Sequence, residues 1–380
     1  MIIVHIDFTG TYNEEMNYQE NLLPRANALH GNCVYFVTTC YRWNNGLEEK
    51  VAPERITLPD GVRLVRMPYT SFGLEALNKR FRAVSGLYTL MQQIHPDVVF
   101  LHCVQTAAVY SIIKYVKKHP NVVFYADTHT DFHNSAKGFI SRKLLHGILY
   151  RHFCIKIIPY VRKLFYVTDE CRVFMESMYT FPSEKMEYLP LGGFLLTDDQ
   201  YNERRNQVRN KFGLTTETIV FMHSGKFNAQ KKTDELVQCF HQSHLENERL
   251  IIVGSFDEAL EKQLTPIMKT DSNIIYLGWV NGEQLRTLLC ATDVYIQPGT
   301  QSVTMQTAAC CRCALALFPY ESHVNLLGDA AFYLKCEADI KYFFQHVGLE
   351  IINCVRKDVY RIASSKLDYM RQAEIFEEKR

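Results

Sequence analysis

Residues 219–244 read IVFMHSGKFNAQKKTDELVQCFHQSH and contain one complete strand, loop and helix. The apolar run Ile219–His223 has the length of a buried strand. The polar loop after it leads into Thr233–His244, where apolar side chains recur at helical spacing. A second apolar run, Leu250–Val253, comes next. Strand, helix and strand in this order predict a parallel βαβ unit.

The same alternation extends along almost the whole chain. Near-continuous apolar runs are typical of strands that are buried on both faces of a parallel sheet. The series is interrupted at Leu189–Gly193, which contains a Pro-Leu-Gly-Gly turn. We therefore predict two Rossmann-like domains, residues 1–195 and 196–363, with a ligand site in the cleft between them. The other predicted strands are Ile2–Asp7, Val34–Thr38, Val62–Arg66, Val98–His102, Val122–Ala126, Leu164–Thr168, Met186–Leu189, Ile274–Leu277, Val294–Gln297, Ala314–Phe318 and Ala331–Leu334.

The composition is that of a globular protein, with 380 residues, 47% hydrophobic residues and a net charge of +1. Balanced charge provides no global field for nucleic acid, so an anionic partner needs a local basic patch. The N-terminal apolar run is too short for a secretory signal, and no apolar window is long enough to span a bilayer. We therefore expect a cytoplasmic protein with 12 reduced cysteines. The cluster Cys310–Cys313 lacks a second ligand pair at zinc spacing.

Three common catalytic motifs are missing from the sequence. None of the 18 glycines forms the Gly-x-Gly-x-x-Gly pattern that binds dinucleotides, and no Walker phosphate loop is present. No Gly-x-Ser-x-Gly elbow is present either, which argues against a serine hydrolase. These observations disfavour dinucleotide oxidoreduction, P-loop phosphoryl transfer and serine hydrolysis.

The loop after Ile219–His223 carries the first positive signal. Gly225 allows close backbone approach, and Lys226 and Lys231 are two cations near the start of a helix. Both lysines have the reach to bind one pyrophosphate. The alternative is that they are ordinary exposed loop lysines.

A second segment, Leu277–Pro298, contains Leu-Gly-Trp-Val and Ala-Thr-Asp-Val-Tyr-Ile-Gln-Pro. Together with the lysine loop, this order resembles the C-terminal domain of retaining GT-B glycosyltransferases of the large family 4, or group 1. The resemblance gives Lys226 and Lys231 the places of the family's arginine and lysine, which bind the donor diphosphate. Trp279 and Val280 fall where the family's backbone holds the base. The alternative is an ordinary strand and amphipathic helix.

The loop after Pro298 departs from the family pattern, which has two glutamates there. The second acid matches Gln306, whose amide can still hydrogen-bond ribose hydroxyls, and the first falls on Pro298. We predict Ser302 as the N-cap of the next helix, where free backbone N–H groups face an anion. The nearest polar replacements for contact with the donor are Gln301, Ser302 and Thr304.

In the N-terminal half, the run Asn17-Tyr18-Gln19-Glu20-Asn21-Leu22-Leu23-Pro24 follows the first strand. It resembles the Tyr-Gln-Glu-Asn-x-Leu-Pro run in glycosyltransferases of capsule, O-antigen and exopolysaccharide biosynthesis. Ligands bind at the carboxyl ends of parallel strands, and the resemblance therefore assigns Asn17, Tyr18 and Gln19 to the acceptor site. The alternative is a capped surface helix.

A cluster of acids and histidines closes another strand. Strict alternation would place Asp127, His129, Asp131 and His133 on one face, where they could bind a metal. The family resemblance instead implies that His129 contacts the transferred sugar, with Asp131 orienting it or accepting the proton of the acceptor hydroxyl. We favour this second interpretation, because a diphosphate bound by lysines does not need a metal ion. A polar loop without a ligand is the third alternative.

Residues 137–163 form a stretch that mixes Phe, Ile, Leu and Tyr with seven Lys or Arg residues and no acid. This composition is typical of a basic amphipathic surface that contacts anionic lipid. The alternative is a helix with a core face and solvated cations.

Taken together, the sequence resembles a GT-B enzyme with α/β architecture, and the resemblance implies that the helical segment 364–380 crosses back to the first domain. The implied reaction is the retaining transfer of a hexose from a nucleotide diphosphate sugar to a glycan or polyprenyl-linked acceptor. No metal and no cofactor besides that co-substrate are expected. The alternatives are a non-catalytic nucleotide-sugar-binding partner in polysaccharide assembly, a sugar-nucleotide epimerase and a phosphorylase. The expected location is the cytoplasm, at the inner face of the membrane if residues 137–163 bind lipid.

Overall fold

The computed structural model describes residues 1–44 and 47–377 of the chain. The chain divides into two compact units, the first formed by Met1–Pro190 with Met370–Arg380 and the second by Leu191–Tyr369. The domain limits inferred from the sequence, 195 and 363, stay predictions. No helix among the described residues is both long and apolar enough to cross a membrane.

A mostly parallel sheet forms the centre of the first unit. Its strands are β1 (Ile2–Asp7), β2 (Cys33–Thr39), β5 (Glu54–Thr57), β6 (Arg63–Met67), β7 (Val98–His102), β8 (Val123–Thr128), β9 (Lys163–Tyr166) and β10 (Met186–Tyr188), and a separate hairpin consists of β3 (Tyr41–Asn44) and β4 (Leu47–Lys50). Within the described part of this unit the sheet order is β10-β9-β8-β7-β1-β2-β6-β5. The pairs are parallel except for β5 with β6.

The helices of the first unit cover this sheet. They are α1 (Gln19–Leu29), α2 (Glu75–Phe81), α3 (Leu87–Ile94), α4 (Val109–Lys118), a π-helical segment (Ser141–Tyr150) that continues into α5 (Arg151–Ile157), α6 (Asp169–Tyr179), and a 3₁₀ turn (Ser183–Lys185). After Asp368 the chain forms α15 (Tyr369–Ala373) and a 3₁₀ turn (Glu374–Phe376). All five residues of β7 are buried. Each fully buried Leu, Ile or Phe contributes about 1.5–3 kcal/mol, so the burial of this strand stabilises the unit.

A smaller parallel sheet forms the centre of the second unit. Its strands are β11 (Ile219–Phe227), β12 (Glu248–Phe256), β13 (Ile274–Tyr276), β14 (Val294–Gln297), β15 (Ala314–Leu317) and β16 (Phe332–Tyr333). Its described strands lie in the order β13-β12-β11-β14-β15-β16, and all pairs are parallel. Every residue of β14 and β15 is buried, as expected for strands covered on both faces.

The helices of the second unit are α7 (Asp198–Lys211), a 3₁₀ turn (Ala229–Lys231), α8 (Thr233–Ser243), α9 (Glu258–Thr270), α10 (Gly282–Ala291), α11 (Thr304–Cys310), α12 (Glu321–Leu327), α13 (Glu337–His346), α14 (Leu349–Ile362) and a π-helical turn (Ala363–Leu367). Local sequence sets several of their ends. Thr197 and Gln200 form a capping box at the start of α7, and Asn281 and Gln284 form another at α10. These reciprocal bonds satisfy backbone N–H groups that a helix end otherwise leaves open.

The predicted strands are present, but the sequence missed three elements. The hairpin β3–β4 and the antiparallel edge strand β5 are rich in charged residues and lack the apolar runs that identified the other strands. The predicted strand Ile219–His223 continues to Phe227, so Lys226 lies in a strand and not in a loop.

Candidate functional site

Both sheets reverse their strand order at one point, between β1 and β7 in the first unit and between β11 and β14 in the second. Parallel α/β sheets bind ligands beyond the carboxyl ends of the strands at such a switch point. Candidate residues gather at both places. We call the group formed by Gln19, His102, Asp127 and His129 the His129 cluster, and residues 225–231 with 298–306 the lysine site.

Asp127 is the centre of the His129 cluster. It lies at the end of β8, fully buried, and its Oδ1 accepts a hydrogen bond from the backbone N–H of Cys103 at 2.8 Å. Its Oδ2 lies 3.0 Å from His102 Nδ1 and 3.4 Å from His129 Nε2. Both carboxylate oxygens are therefore used, and the carboxylate holds two imidazoles from neighbouring strand ends.

A further pair of buried residues supports His102 from behind. His102 Nε2 lies 3.1 Å from His5 Nδ1, and His5 Nε2 lies 3.0 Å from Asn27 Oδ1. Burial first, and then His102, lower the pKa of His5 to about 3, so this imidazole is neutral at physiological pH. The chain from Asn27 to Asp127 is a buried network that fixes the orientation of the carboxylate.

The charges in the cluster are set by opposing effects. Burial alone would raise the pKa of Asp127, but the neighbouring His102 and His129 hold it well below its ordinary value. Burial alone would lower the pKa of His129, but the Asp127 carboxylate raises it to about 9. His129 is therefore an imidazolium at neutral pH. Its side chain is 24% exposed, and its Nδ1 has no hydrogen-bond partner among the described residues.

Gln19 joins the cluster from the first turn of α1. Its Oε1 lies 2.8 Å from His129 Nε2, whose N–H it accepts. The side chain is 1% exposed, yet its Nε2 has no partner among the described residues. A buried amide with unused donors can bind a ligand oxygen. Of the other predicted acceptor residues, Tyr18 is the half-exposed N-cap of α1 and Asn17 precedes it.

The structure does not bring together the four acids and histidines that strict alternation placed on one face. β8 ends at Thr128 and the chain then turns, because the Asp131 carboxylate accepts the backbone N–H groups of His133 and Asn134 at 2.7 and 2.8 Å. Asp131 therefore does not orient His129, and Asp127 does. The ligand atoms of His102, Asp127 and His129 lie within 4.8 Å of one another, so of the described residues these three form a group able to hold a metal.

Lys231 is the centre of the lysine site. Its Nζ donates to the carbonyl oxygens of Thr300 and Gln301, each at 3.0 Å. Burial lowers the pKa of Lys231 to about 8. No carboxylate pairs with this ammonium among the described residues. A half-buried cation held only by carbonyls has free capacity for an anion.

A glycine in the loop after β14 makes this placement possible. A side chain at Gly299 would collide with the carbonyl groups of Gln230 and Lys231, so only glycine lets the two loops touch. The backbone N–H of Thr300 donates to the carbonyl of Gln230 at 3.0 Å across this contact. Gly225 has a φ of +147°, and a Cβ there would lie 3.9 Å from Lys231 Cε. The lysine stem therefore runs over Gly225.

Lys226 points to a different partner. It is exposed, and its Nζ lies 5.8 Å from the ring centroid of Trp279, within cation–π range. Trp279 is 56% exposed, an unusual position for the largest side chain, and Val280 beside it lines an apolar cavity of about 440 Å³ together with Leu277 and Leu288. The segment that the sequence predicts to contact the base thus carries an exposed ring next to a cation, and the contact itself stays a prediction.

The segment from Gln301 to Gln306 lies after β14. Gln301 Nε2 donates to Ser322 Oγ at 3.0 Å, and Ser302 Oγ accepts the N–H of Thr304 at 3.4 Å. The predicted N-cap is wrong by one residue, because α11 begins at Thr304 and its N-cap is Val303. Gln306 is 8% exposed and its Oε1 has no partner among the described residues. This oxygen is a buried acceptor available to a hydroxyl donor.

Sequence reasoning missed the supporting residues of the His129 cluster. His5 and His102 sit inside apolar strands and carried no signal of their own. Asp7 was also missed: it ends β1 and is 5% exposed. The available signal was positional, since each polar residue stands at or near the carboxyl end of a strand that flanks the switch point.

Comparisons with solved structures identify the fold class. The chain is similar over 99% of its length to WaaG, a glycosyltransferase involved in lipopolysaccharide biosynthesis, with 14% identity, a TM-score of 0.65 and 100% of that chain covered. Anabaena HepE in complex with UDP and glucose shows 13% identity and a TM-score of 0.66, covering 100% of this chain and 98% of that one. The sucrose-phosphate synthase of Thermosynechococcus elongatus shows 12% identity and a TM-score of 0.69, with 99% and 97% covered. The chain therefore has the GT-B fold, as predicted.

The family comparison concerns the second unit. Residues 218–342 match the family model described as glycosyl transferases group 1. No curated protein matches the sequence. The matched stretch contains the whole lysine site.

Proposed function

We propose that the protein is a retaining glycosyltransferase that moves a hexose from a nucleotide diphosphate sugar to a hydroxyl of a glycan or lipid-linked precursor. The observation that carries the proposal is Lys231, a half-buried ammonium without a carboxylate partner among the described residues, within the stretch that matches glycosyl transferases group 1. Anabaena HepE, whose fold is the same, was solved with UDP-glucose.

The lysine site and Trp279 together would supply the contacts that a nucleotide diphosphate requires. Lys231 and Lys226 would neutralise the diphosphate, and Trp279 would contact the base. The unpaired Oε1 of Gln306 would accept a hydrogen bond from a ribose hydroxyl. Gln301, Ser302 and Thr304 would complete the donor site, and no metal is needed where two cations face the diphosphate.

The chemical step breaks the bond between the anomeric carbon and the diphosphate oxygen and forms a bond from that carbon to the acceptor oxygen on the same face. The departing diphosphate takes the proton of the acceptor hydroxyl. Negative charge accumulates on the leaving group as an oxocarbenium-like centre forms, so the lysines stabilise the transition state more than the ground state. The His129 imidazolium would donate a hydrogen bond to a sugar hydroxyl through its unpaired Nδ1. Asp131, the other predicted catalytic residue, accepts the backbone N–H groups of His133 and Asn134 and holds the turn after His129, so we assign it a supporting role.

The first experiment measures the release of nucleoside diphosphate from a panel of sugar nucleotides, with the anomeric configuration of the product read by ¹H NMR. Lys231→Ala is expected to remove most of the release, whereas Lys262→Ala, which removes an exposed cation of α9, is expected to leave it unchanged. Turnover of Lys231→Ala at the rate of the unchanged protein would refute the role of Lys231. Inversion in the product would refute retention.

A non-catalytic nucleotide-sugar-binding protein is the second candidate. Gln306 favours this candidate, because its amide cannot ionise and stands where the family that the sequence resembles has an acid. This candidate predicts that a sugar nucleotide raises the melting temperature while no nucleoside diphosphate is released with any acceptor. Measured turnover would exclude it.

We also infer that residues 137–163 bind a membrane rich in anionic lipid. One face of this segment packs in the core, but Phe139, Ile140, Leu144 and Ile148 are 56–78% exposed. The last three are spaced by four residues and therefore lie along one side of the helix. Exposed cations such as Lys143 flank them, and the segment holds no acid. Such a surface would bring the enzyme to a polyprenyl-linked acceptor.

Sedimentation with vesicles tests this surface. The protein is expected to pellet with phosphatidylglycerol vesicles at low salt, and Ile140→Asp with Leu144→Asp is expected to abolish this. Leu245→Asp, an equally exposed leucine in the second unit, is the control. Two results would contradict the inference: pelleting of the variant with Ile140→Asp and Leu144→Asp, or failure of the unchanged protein to pellet at low salt.

A further inference from the structure

A polar cavity of about 390 Å³ opens in the first unit next to the His129 cluster. Three cationic side chains, Arg80, Arg82 and Lys137, line it, and its lining contains no Asp or Glu. A lining with one sign of charge creates a local positive potential. The cavity is therefore suited to an anion.

The three cations have few partners of their own. The Arg82 side chain donates one hydrogen bond, to the carbonyl of Gln105 at 3.0 Å, and its guanidinium lies 5.4 Å from the ring centroid of Tyr150. In the part of the chain that the structure describes, the side chains of Arg80 and Lys137 make no hydrogen bond or ion pair. Most of the donors of these groups remain available to a ligand.

The positive charge of the arginines also affects a buried histidine in the cavity wall. His146 is 5% exposed and its Nδ1 lies 2.7 Å from the hydroxyl of Tyr179. Burial, and then the nearby Arg82 and Arg80, lower the pKa of His146 to about 4. The histidine therefore stays neutral, and the positive charge of the cavity comes from the arginines and the lysine.

The cavity adjoins the residues of the His129 cluster directly. Its lining includes Thr130, which follows His129, and Cys103, which follows His102. Asn134, also in the lining, donates to the carbonyl of His129 at 2.8 Å. An anion held here would thus lie beside the imidazolium that we assign to the transferred sugar.

We propose that this cavity binds a phosphate or diphosphate group of the acceptor, so that the enzyme glycosylates a phosphate-bearing substrate. Assigning the bound phosphate to the acceptor rests on the proposed function, whereas the anion site itself does not. Three cations match the charge of a phosphate or diphosphate better than the single charge of a carboxylate, and two arginine forks offer several donors to phosphate oxygens. The phosphate could belong to a lipid head group or to a soluble phosphorylated sugar.

Titration calorimetry with inorganic phosphate tests the site. Because phosphate also suits the lysine site, all proteins carry Lys226→Ala and Lys231→Ala. In this background, Arg80→Gln with Lys137→Gln is expected to weaken phosphate binding at least about tenfold, or about 1.4 kcal/mol. The matched control, Arg55→Gln with Lys118→Gln, removes two exposed cations of the same unit outside the cavity and is expected to keep the affinity. Equal affinity in the cavity variant and the control would overturn the proposal.

Two further measurements test whether the cavity selects negative charge and which kind of phosphate it binds. Ser141→Glu places a carboxylate in the lining and is expected to weaken phosphate binding without removing any cation. Geranyl phosphate is then compared with inorganic phosphate: binding at least about tenfold tighter indicates a lipid-linked acceptor, and equal binding indicates a soluble one. If geraniol binds as tightly as geranyl phosphate and inorganic phosphate does not bind, the proposal fails.

The failure of this inference is separable from that of the proposed function. Release of nucleoside diphosphate without phosphate binding in the cavity would leave the enzyme assignment intact and refute the anionic acceptor. Phosphate binding that depends on Arg80 and Lys137, in a protein that never releases nucleoside diphosphate, would refute the transferase and keep the anion site.

Discussion

At His129, the Asp127 carboxylate is the main acid that opposes burial, with smaller effects from Glu20 and Asp7. Burial lowers the pKa of His129, but Asp127 raises it to about 9. Asp127→Asn removes the opposing charge and is expected to lower the pKa of His129 by about 1–3 pH units, measured by NMR titration of the ring resonances. Asp131→Asn is the matched control, because Asp131 contacts backbone amides and not His129. A larger shift in the control than in Asp127→Asn would show that the wrong carboxylate has been assigned.

The raised pKa of His129 also sets the direction in which stability changes with pH. A pKa raised from 6.5 to about 9 means that the folded protein holds the proton more tightly than the unfolded chain does. This contribution is complete below about pH 6.5 and is lost as the pH rises through about 9. The melting temperature of the protein is therefore expected to fall between pH 7 and 9.5 more steeply than that of His129→Gln. Parallel melting curves for the two proteins would contradict this.

Lys231 is the second residue whose charge changes near physiological pH. Burial lowers its pKa to about 8, and a bound diphosphate would raise it again. Affinity for the nucleoside diphosphate is therefore expected to fall above about pH 8, by up to about tenfold per pH unit. Lys231→Arg stays charged in this range and is expected to show a flat profile. If Lys231→Arg and the unchanged protein lose affinity alike between pH 7.5 and 9.5, another group is responsible.

At the scale of elements, the contact between the 3₁₀ turn Ala229–Lys231 and the loop after β14 positions Lys231 in the proposed donor site. Gly299→Ala is expected to push the loop after β14 away from Gln230 and Lys231, because the added methyl would overlap their carbonyl groups. We expect a loss of nucleotide affinity as large as that of Lys231→Ala, measured by calorimetry. Gly348→Ala, where a Cβ meets open space, is the control. Normal affinity in Gly299→Ala would mean that the loop does not position Lys231.

The strands also show which elements could be derived from sequence. Apolar runs such as Val98–His102 identified the central strands, since full burial leaves little room for polar residues. Two strand ends were not derivable in the same way. β8 stops at Thr128 because Asp131 forms a turn, and β11 continues to Phe227 because Gly225 and Gly254 lie side by side in the sheet. Partners that come from other strands, such as His102 for Asp127, leave no local pattern.

For the whole molecule, the net charge of +1 conceals an uneven distribution. The lysine site, the cavity with Arg80 and Arg82, and residues 137–163 each concentrate positive charge where the described structure offers few acidic partners. The sequence revealed the lysines and the basic stretch because each is continuous in the chain. It did not reveal the cavity, because Arg80, Arg82 and Lys137 are brought together only by the fold.

The first unit is completed by residues from the far end of the chain, and this has a measurable consequence. Phe376 is 3% exposed, and its ring lies 5.2 Å from that of Phe100 and 5.7 Å from that of Tyr125. Phe376→Ala is expected to destabilise this unit by about 3–5 kcal/mol through the cavity it leaves. Hydrogen exchange by mass spectrometry should then show faster exchange in β7 and β8 and unchanged protection in β11 and β14, while Leu29→Ala, an exposed control, changes neither. Equal loss of protection in both sheets would show that the two units unfold as one.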